Sequence, residues 1–267
     1  MLRIVAVRGE TIVAAGESCE LVQEIIYDPS FVQKLFDEMS ATYGLVNLVS
    51  SFGVCRKWRQ YCLRQIEISS GCTTVDLMTG MGELCPEVAQ RLGPQGRIVA
   101  VDISPVMCAQ AQQHQKSRFS CTVEIMEADA LCSSIPDDSA DVVVSSFGLK
   151  TFSLRQIERL AQEVKRILKP QGTFSFVEIS VPPAGWLKVP YLFYLNRLIP
   201  MIGRLLLGNP ENYRMLGIYT RAFGSCHRVV SAFRNAGLET EVRSFWLGCA
   251  TGLVGRHAEQ LPGHAAV

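Results

Sequence analysis

A short glycine-containing segment holds the residues whose types and spacing best fit ligand chemistry. It reads Asp76-Leu77-Met78-Thr79-Gly80-Met81-Gly82-Glu83 and follows a run of β-branched residues. Glycines let a backbone turn sharply and approach a ligand closely. A turn of this kind, between a strand and a helix, binds nucleotide-like ligands at the carboxyl end of a parallel sheet. We therefore predict a nucleotide-containing ligand at this segment.

An acidic residue stands at the end of each of three consecutive predicted strands. These are Asp76, Asp102 and Asp129, and the second occupies the place of an acid that binds ribose hydroxyls. Acids disfavour a pyrophosphate but favour a sulfonium or an amino group. Cys85 also replaces the third glycine of a dinucleotide site. The pattern therefore favours S-adenosylmethionine as the cofactor.

The contacts with this cofactor are expected from the turn, from the strand ends and from the helix after the second strand. The candidate residues are Asp76, Thr79, Gly80, Met81, Gly82, Asp102, Ile103, Met107, Asp129, Ala130 and Ser146.

The elements that must position these residues follow an alternating pattern after residue 70. Amphipathic helices separate short β-branched runs, which predicts βαβ units and a parallel sheet. Ser153 and Gln156 form a predicted capping box at one helix start, and residues 169–172 are predicted to turn into the next strand. The predicted strands are Thr73 to Leu77, Arg97 to Ile103, Cys121 to Met126, Asp141 to Ser146, Thr173 to Ile179 and Thr240 to Phe245.

Several longer motifs resemble those of class I methyltransferases, and more narrowly the ubiquinone/menaquinone biosynthesis C-methyltransferase family. The resemblance runs from about residue 28 to 256 and includes motifs outside the cofactor turn. The motifs that carry the resemblance, with the cofactor turn first, are Asp76-Leu77-x-Thr79-Gly80-x-Gly82-Glu83, Val101-Asp102-Ile103-Ser104-Pro105-x-Met107, Asp129-Ala130, Ser146-Phe147-Gly148-Leu149, Leu168-Lys169-Pro170-x-Gly172, Tyr43-Gly44-Leu45-Val46-Asn47, Ser51-Phe52-Gly53-x-x-Arg56-x-Trp58, Ile199-Pro200-x-Ile202-Gly203 and Tyr213-Arg214-x-Leu216.

The resemblance implies an α/β fold with a Rossmann-like, seven-stranded, mostly parallel sheet. It also implies an N-terminal helical cap and a helical lid insertion. We expect an extension and cap over residues 1–70, the cofactor-binding core over 71–182 and the lid over 183–224. Residues 225–256 would complete the core with a helix and strands, and residues 257–267 would form a tail.

The family usually reads Phe-Gly-Leu-Arg-Asn after the fourth strand, whereas this chain has Lys150 and Thr151 at the last two places. The resemblance assigns ring activation to this arginine and asparagine and to a tyrosine matching Tyr43. Lysine keeps the charge but loses the planar fork, and a cation can stabilise a phenolate. Lys150 and Tyr43 are therefore the catalytic candidates. The substrate-binding candidates are Phe147, Thr151, Tyr191, Tyr194, Tyr213 and Tyr219.

The composition limits the partners of this protein. The chain has 267 residues, a formal charge of +1 and 48% hydrophobic residues. Near-neutral charge argues against nucleic acid, and no histidine or cysteine spacing predicts a metal site. No transmembrane segment is predicted, the cysteines fit a cytoplasmic protein, and a hydrophobic small molecule is the expected partner. A peripheral membrane contact of residues 189–207 and a homodimer stay open.

The predicted activity is methyl transfer to a hydrophobic aromatic, quinone-like or polyketide-like molecule. Carbon is the favoured acceptor, by resemblance, and the altered pair at Lys150 and Thr151 favours specialised metabolism. Three alternatives stay open. They are a housekeeping ubiquinone/menaquinone C-methyltransferase, a methyltransferase fold repurposed for cyclisation, and a nicotinamide-dependent oxidoreductase.

Overall fold

The structure is a computed structural model that describes residues 3–7, 10–14, 25–51, 53–115, 119–206 and 208–258. Phe52 of the amino-terminal motif and most of the predicted tail lie outside these residues. Two strands near the amino terminus, β1 (Arg3–Val7) and β2 (Glu10–Ala14), form an antiparallel hairpin.

The main sheet of the described chain has seven strands in the order β5-β4-β3-β6-β7-β9-β8. Strands β3 to β7 pair in parallel, whereas β9 is antiparallel to both of its neighbours. This arrangement confirms the predicted fold class. The strands are β3 (Thr73–Leu77), β4 (Arg97–Asp102), β5 (Thr122–Glu127), β6 (Ala140–Ser146), β7 (Leu168–Ile179), β8 (Leu238–Phe245) and β9 (Ala250–His257).

Helices surround this sheet and form the cap and the lid. Ser153 and Gln156 make the predicted capping box at the start of one helix. A π-helical turn, Tyr194–Leu198, joins two lid helices. The helices are α1 (Pro29–Ser51), α2 (Val54–Leu63), α3 (Cys85–Leu92), α4 (Pro105–Gln115), α5 (Leu154–Ile167), α6 (Gly185–Phe193), α7 (Ile199–Leu205), α8 (Pro210–Phe223) and α9 (Val230–Asn235).

The central strands are buried on both faces because helices cover each side. Successive side chains of a strand point to opposite faces. Val99 and Val101 of β4 accordingly lie in one apolar cluster, which includes Leu160 of α5. Ile98 and Ala100 lie in another. This two-sided burial explains why the strands read as β-branched runs instead of alternating patterns.

Strand β7 begins earlier than predicted, because residues 169–172 lie within it and do not form a separate turn. Leu168 pairs with Ala140, and Thr173 pairs with Val142 across a shift of register. Lys169 of this bulged stretch donates to Asp141 Oδ1 at 2.7 Å. The predicted turn is therefore an irregularity of the strand.

The cap helix α1 and the lid meet in one apolar cluster. Leu35 and Met39 of α1 pack there with Leu195 and Ile199 of the lid and with Met107 of α4. This cluster therefore joins the cap to the lid beside α4, the helix that follows β4. The division of the chain into the expected segments stays a prediction. None of the helices in the described ranges is long and apolar enough to cross a bilayer.

Candidate active site

The ends of β3 and β6 approach each other closely beside the glycine turn. Met78 and Phe147 both have left-handed backbone conformations, with φ of 56° and 67°. Such conformations cost energy in residues other than glycine and cluster at functional sites. A Cβ atom on Gly148 would lie 2.7 Å from Met78 Cβ. Only glycine therefore allows the two strand ends to come this close.

A cavity of about 70 Å³ opens at these strand ends. Four of the predicted cofactor residues do not line this cavity, because they are buried in or beneath the turn. They are Asp76, Thr79, Met81 and Gly82. The predicted cofactor residues that do line it are Gly80, Asp102, Ile103, Met107, Asp129, Ala130 and Ser146. The structure thus brings most of the predicted cofactor residues to one place, which we call the cofactor pocket.

Two acids of this pocket are held in fixed orientations by backbone amides. Asp102 accepts the Gly80 N–H at 2.8 Å and the Ser104 N–H at 3.0 Å. Asp129 accepts the Leu131 N–H at 2.9 Å. Burial raises the pKa of Asp102 to about 6, against the pull of those amides. Its carboxylate can still accept hydrogen bonds from hydroxyl groups of a ligand.

The third acid, Asp76, lies fully buried beneath the turn. Its Oδ2 accepts the Thr79 hydroxyl at 2.6 Å, whereas Oδ1 has no partner among the described residues. Burial raises the pKa of this carboxyl to about 7. An orphaned buried carboxylate requires a cation or a donor. Asp76 itself does not line the pocket, so the fit of a cofactor depends on the two acids that do. The carboxylates of Asp102 and Asp129 can accept hydrogen bonds from the hydroxyl and amino groups of S-adenosylmethionine, so the residues present fit this cofactor.

Arg59 of α2 is a buried cation beside the pocket that the sequence interpretation did not identify. It forms an ion pair with Glu83 at 3.2 Å and donates from Nε to Ser146 Oγ at 3.2 Å. Its guanidinium also lies 5.1 Å from the centre of the Phe147 ring. One cap residue therefore orients three residues of the pocket wall. The sequence feature that could have identified Arg59 as buried was its spacing, because it shares a helical face with the buried Cys55 and Cys62.

A second cavity, of about 330 Å³, adjoins the cofactor pocket, and we call it the apolar cavity. Tyr43 and Phe147 line both spaces. Trp58 also lines the apolar cavity, and its indole Nε1 has no hydrogen-bond partner among the described residues. The other lining residues are mostly apolar and come from the cap, the lid, the end of β7 and the turn before β9. They include Val46, Val54, Ile179, Leu195, Ile199, Leu216 and Trp246.

Lys150 brings a buried cation into the wall of this apolar cavity. Its Nζ donates to Glu178 Oε1 at 3.0 Å and to the Phe147 carbonyl. Its backbone N–H donates to Glu178 Oε2 at 3.0 Å. Two of the three ammonium hydrogens are therefore used, and the third is available to a substrate oxygen. Glu178 was not predicted, although a lone acid in the apolar run of β7 was a signal, because buried charges require partners.

Tyr43 lies between the two cavities as a neutral phenol. Burial, reinforced by the negative charge of Glu83, raises its pKa far above the usual value. Its ring packs edge-on against Phe36 at 6.0 Å. The hydroxyl can therefore donate a hydrogen bond but does not act as an anionic base.

The predicted substrate-binding residues are divided among three places. Tyr191 and Tyr194 line the apolar cavity together with Phe147, and their contact with substrate stays a prediction. Thr151 instead lines the cofactor pocket, where its hydroxyl donates to the Gly148 carbonyl at 2.7 Å.

Tyr213 and Tyr219 line neither of these two cavities. Tyr213 shares a hydrogen bond of 2.7 Å with Thr42, and the Tyr219 hydroxyl donates to the Ile26 carbonyl. The structure places both rings in the cluster between cap and lid. Their polar ends are satisfied there, which is the usual condition of a buried tyrosine. The prediction that they contact substrate is therefore not supported.

The sheet order, the acid-lined pocket at the glycine turn and the adjoining apolar cavity define a class I S-adenosylmethionine-dependent methyltransferase. The model of the ubiE/COQ5 methyltransferase family matches residues 24–258. The chain belongs to this family, which excludes the oxidoreductase alternative.

Curated relatives and solved structures agree with this assignment. The chain is 30% identical to the demethylmenaquinone methyltransferase of Desulfitobacterium hafniense, over 80% of this chain and 84% of that protein. It is 32% identical to the enzyme of the same name from Deinococcus radiodurans, over 84% and 91%. A methyltransferase structure from Aquifex aeolicus matches with a TM-score of 0.52 and 18% identity, over 74% of this chain and 88% of that one. That structure supports the fold alone.

Proposed function

We propose that this protein transfers the methyl group of S-adenosylmethionine to a ring carbon of a hydrophobic hydroquinone. The observation that carries the proposal is the wall of Tyr43 and Phe147 that the cofactor pocket and the apolar cavity share. A cofactor in the pocket would hold its methyl group on one side of Tyr43 and Phe147, and an aromatic ring in the apolar cavity would lie on the other side. The two reactants would meet in the space between these two residues. Alignment of the two reactants supplies much of the rate enhancement in such transfers.

Lys150 has the central chemical role in this proposal. The cofactor supplies a methyl group on a positively charged sulfur, which is already a strong electrophile. A ring hydroxyl beside the Lys150 ammonium ionises more readily, because the nearby cation favours the anionic form. The resulting phenolate activates a neighbouring ring carbon, which forms the new carbon–carbon bond as the sulfur–methyl bond breaks. The ring carbon would then release its proton to solvent and regain aromaticity, and neutral S-adenosylhomocysteine would be the leaving group.

Two further residues complete the arrangement. Glu178 fixes the Lys150 side chain through the ion pair and also accepts the Ile179 N–H at 2.8 Å. The Tyr43 hydroxyl, and the unpartnered Nε1 of Trp58, are donors available to the oxygens of the ring. An apolar wall with a few placed donors suits a hydrophobic ring with polar oxygens.

A quinone-type substrate is supported by the names of the relatives. The residues at positions 150 and 151, which depart from the family's usual arginine and asparagine, are weaker evidence for another substrate. Both relatives carry names from menaquinone synthesis, which favours the housekeeping alternative over the specialised metabolism that the altered pair suggested. Lys150 retains the positive charge of the family's arginine. Thr151 lines the cofactor pocket instead of the apolar cavity, so its replacement of asparagine does not by itself indicate a new substrate.

The test is incubation with methyl-labelled S-adenosylmethionine and three acceptors. They are a short-chain demethylmenaquinol, the same molecule oxidised to the quinone, and a polyketide-like phenol. We expect label on a ring carbon of the hydroquinone and none in the quinone, which has no hydroxyl to ionise. Mass spectrometry and NMR locate the label. Label found only in the polyketide-like phenol, or only on oxygen, would overturn the proposal.

A further inference from the structure

The outer face of the lid carries a row of exposed apolar side chains. Trp186, Val189 and Phe193 of α6 are followed by Met201 and Leu205 of α7, and each is between 52% and 73% exposed. Their spacing of three or four residues places the members of each helix on one face. Soluble proteins rarely leave such a row uncovered without a function. We call these five residues the lid stripe.

The charged residues of the lid segment that carries the stripe all have the same sign. Lys188, Arg197 and Arg204 are exposed, and no Asp or Glu occurs between residues 184 and 207. Within the described ranges these three cations form no ion pair. Apolar side chains beside unpaired lysine and arginine are typical of segments that lie on an anionic lipid surface.

A second exposed apolar feature lies beside α6. Trp246 and Leu247 are 52% and 68% exposed, and both have left-handed backbones, with φ of 47° and 56°. The Tyr191 hydroxyl of α6 donates to the Cys249 carbonyl at 3.0 Å, which ties this turn to the lid. A strained turn that presents two large apolar side chains to solvent extends the lid stripe.

The opposite face of the same lid segment lines the apolar cavity. Tyr191, Tyr194 and Ile199 contribute there, and the half-exposed Trp246 lines the cavity as well. One segment therefore has an outer face that suits a bilayer and an inner face that encloses the substrate cavity.

We propose that the lid stripe and the turn at Trp246 and Leu247 rest on an anionic phospholipid bilayer, from which the hydrophobic substrate enters the apolar cavity. The entry of substrate rests on the proposed function, but binding to the bilayer does not. A second copy of the chain fits this face less well, because pairing the same surfaces would bring Lys188, Arg197 and Arg204 together without acids to oppose them. The charge pattern instead complements phosphate headgroups.

The test is co-sedimentation with vesicles of phosphatidylcholine, with and without one third phosphatidylglycerol. We expect binding to the anionic vesicles that weakens with added salt. Trp186→Ser with Phe193→Ser, and separately Lys188→Glu with Arg197→Glu, should each reduce binding about tenfold or more. The matched control, Leu154→Ser with Arg159→Glu on α5, changes one exposed apolar and one exposed basic residue outside this surface and should bind like the wild type.

Two further measurements separate the outcomes. Methyl transfer to a water-soluble, short-chain hydroquinone should be the same in all variants, because none of the changed residues lines either cavity. Vesicle binding without methylation of any hydroquinone would refute the proposed function and leave the membrane surface intact. Equal vesicle binding by wild type and variants would refute the membrane surface. A change of molar mass in light scattering without a change in vesicle binding would assign this face to a second copy, and would also refute it.

Discussion

Replacement of Lys150 by methionine tests the chemistry and the stability of the buried ion pair together. The two side chains are 3% and 0% exposed and lie 3.0 Å apart. Lys150→Met leaves the Glu178 carboxylate buried without a cation, which costs about 3–5 kcal/mol of the free energy of unfolding. At about 2–4 °C per kcal/mol for a chain of this size, the melting temperature should fall by about 6–20 °C.

The double variant Lys150→Met/Glu178→Gln separates stability from catalysis. It removes both charges, so most of the lost melting temperature should return. Turnover should nevertheless stay about 10²–10³-fold below wild type, the usual cost of removing one group that stabilises developing charge. The assay is label transfer to the short-chain demethylmenaquinol, beside a thermal melt of each variant. A folded double variant with turnover within about threefold of wild type would show that Lys150 does not stabilise the phenolate.

Further predictions concern the cofactor pocket and the tyrosines. Without cofactor, Asp76→Asn should gain melting temperature over wild type as the pH rises from about 4 to about 7, because the raised pKa makes ionisation of Asp76 destabilising in that window. Asp102→Asn should weaken S-adenosylhomocysteine binding about 10- to 100-fold in calorimetry. Arg59→Met should move the pH midpoint of the Asp76 titration, read from the pH dependence of the melting temperature, upward, because Arg59 lowers the pKa of Asp76. Tyr43→Phe should lower kcat about tenfold, whereas Tyr219→Phe should lower only the melting temperature.

Each of these predictions has a contradicting result. A pH-independent difference between Asp76→Asn and wild type would show that the carboxyl does not titrate in that window. Unchanged binding by Asp102→Asn would remove Asp102 from the ligand contacts. Arg64→Met, which changes an exposed arginine at the carboxyl end of the same helix, should leave the pH midpoint where it is. A larger loss of kcat in Tyr219→Phe than in Tyr43→Phe would reverse the roles given to the two tyrosines.

The sheet and most of the cofactor pocket could be predicted because their signals are local. The apolar runs of β3, β4 and β6 follow from burial on both faces, and the capping box at Ser153 needs only neighbouring residues. Asp102 and Asp129 could be placed together because the carboxyl ends of parallel strands meet at one edge of a sheet. The start of β7 could not be predicted, since its bulge depends on pairing with Ala140 across the sheet.

The partners of the buried charges could not be predicted with the same success. Lys150 and Glu178 are 28 residues apart in sequence, and Arg59 reaches Ser146 across 87 residues. Spacing cannot show such pairs, although each lone charge in an apolar pattern indicated that a partner was needed. The places of Tyr213 and Tyr219 outside the two cavities could not be predicted for a related reason, because an aromatic residue in a lid has the same local pattern whether it faces a cavity or the core.

The sequence alone determined the order of strands β3 to β8, the glycine turn and the preference for a cationic cofactor, because periodicity and charge at strand ends are properties of neighbouring residues. It did not show β1, β2 or β9. Only the tertiary structure decided that Tyr43 and Phe147 line both cavities and that Lys150 is paired with Glu178. It also decided that Trp186 and Phe193 stay exposed on the outer face of the lid. These properties depend on which distant elements pack against each side chain, and long-range packing has no fixed spacing in the chain.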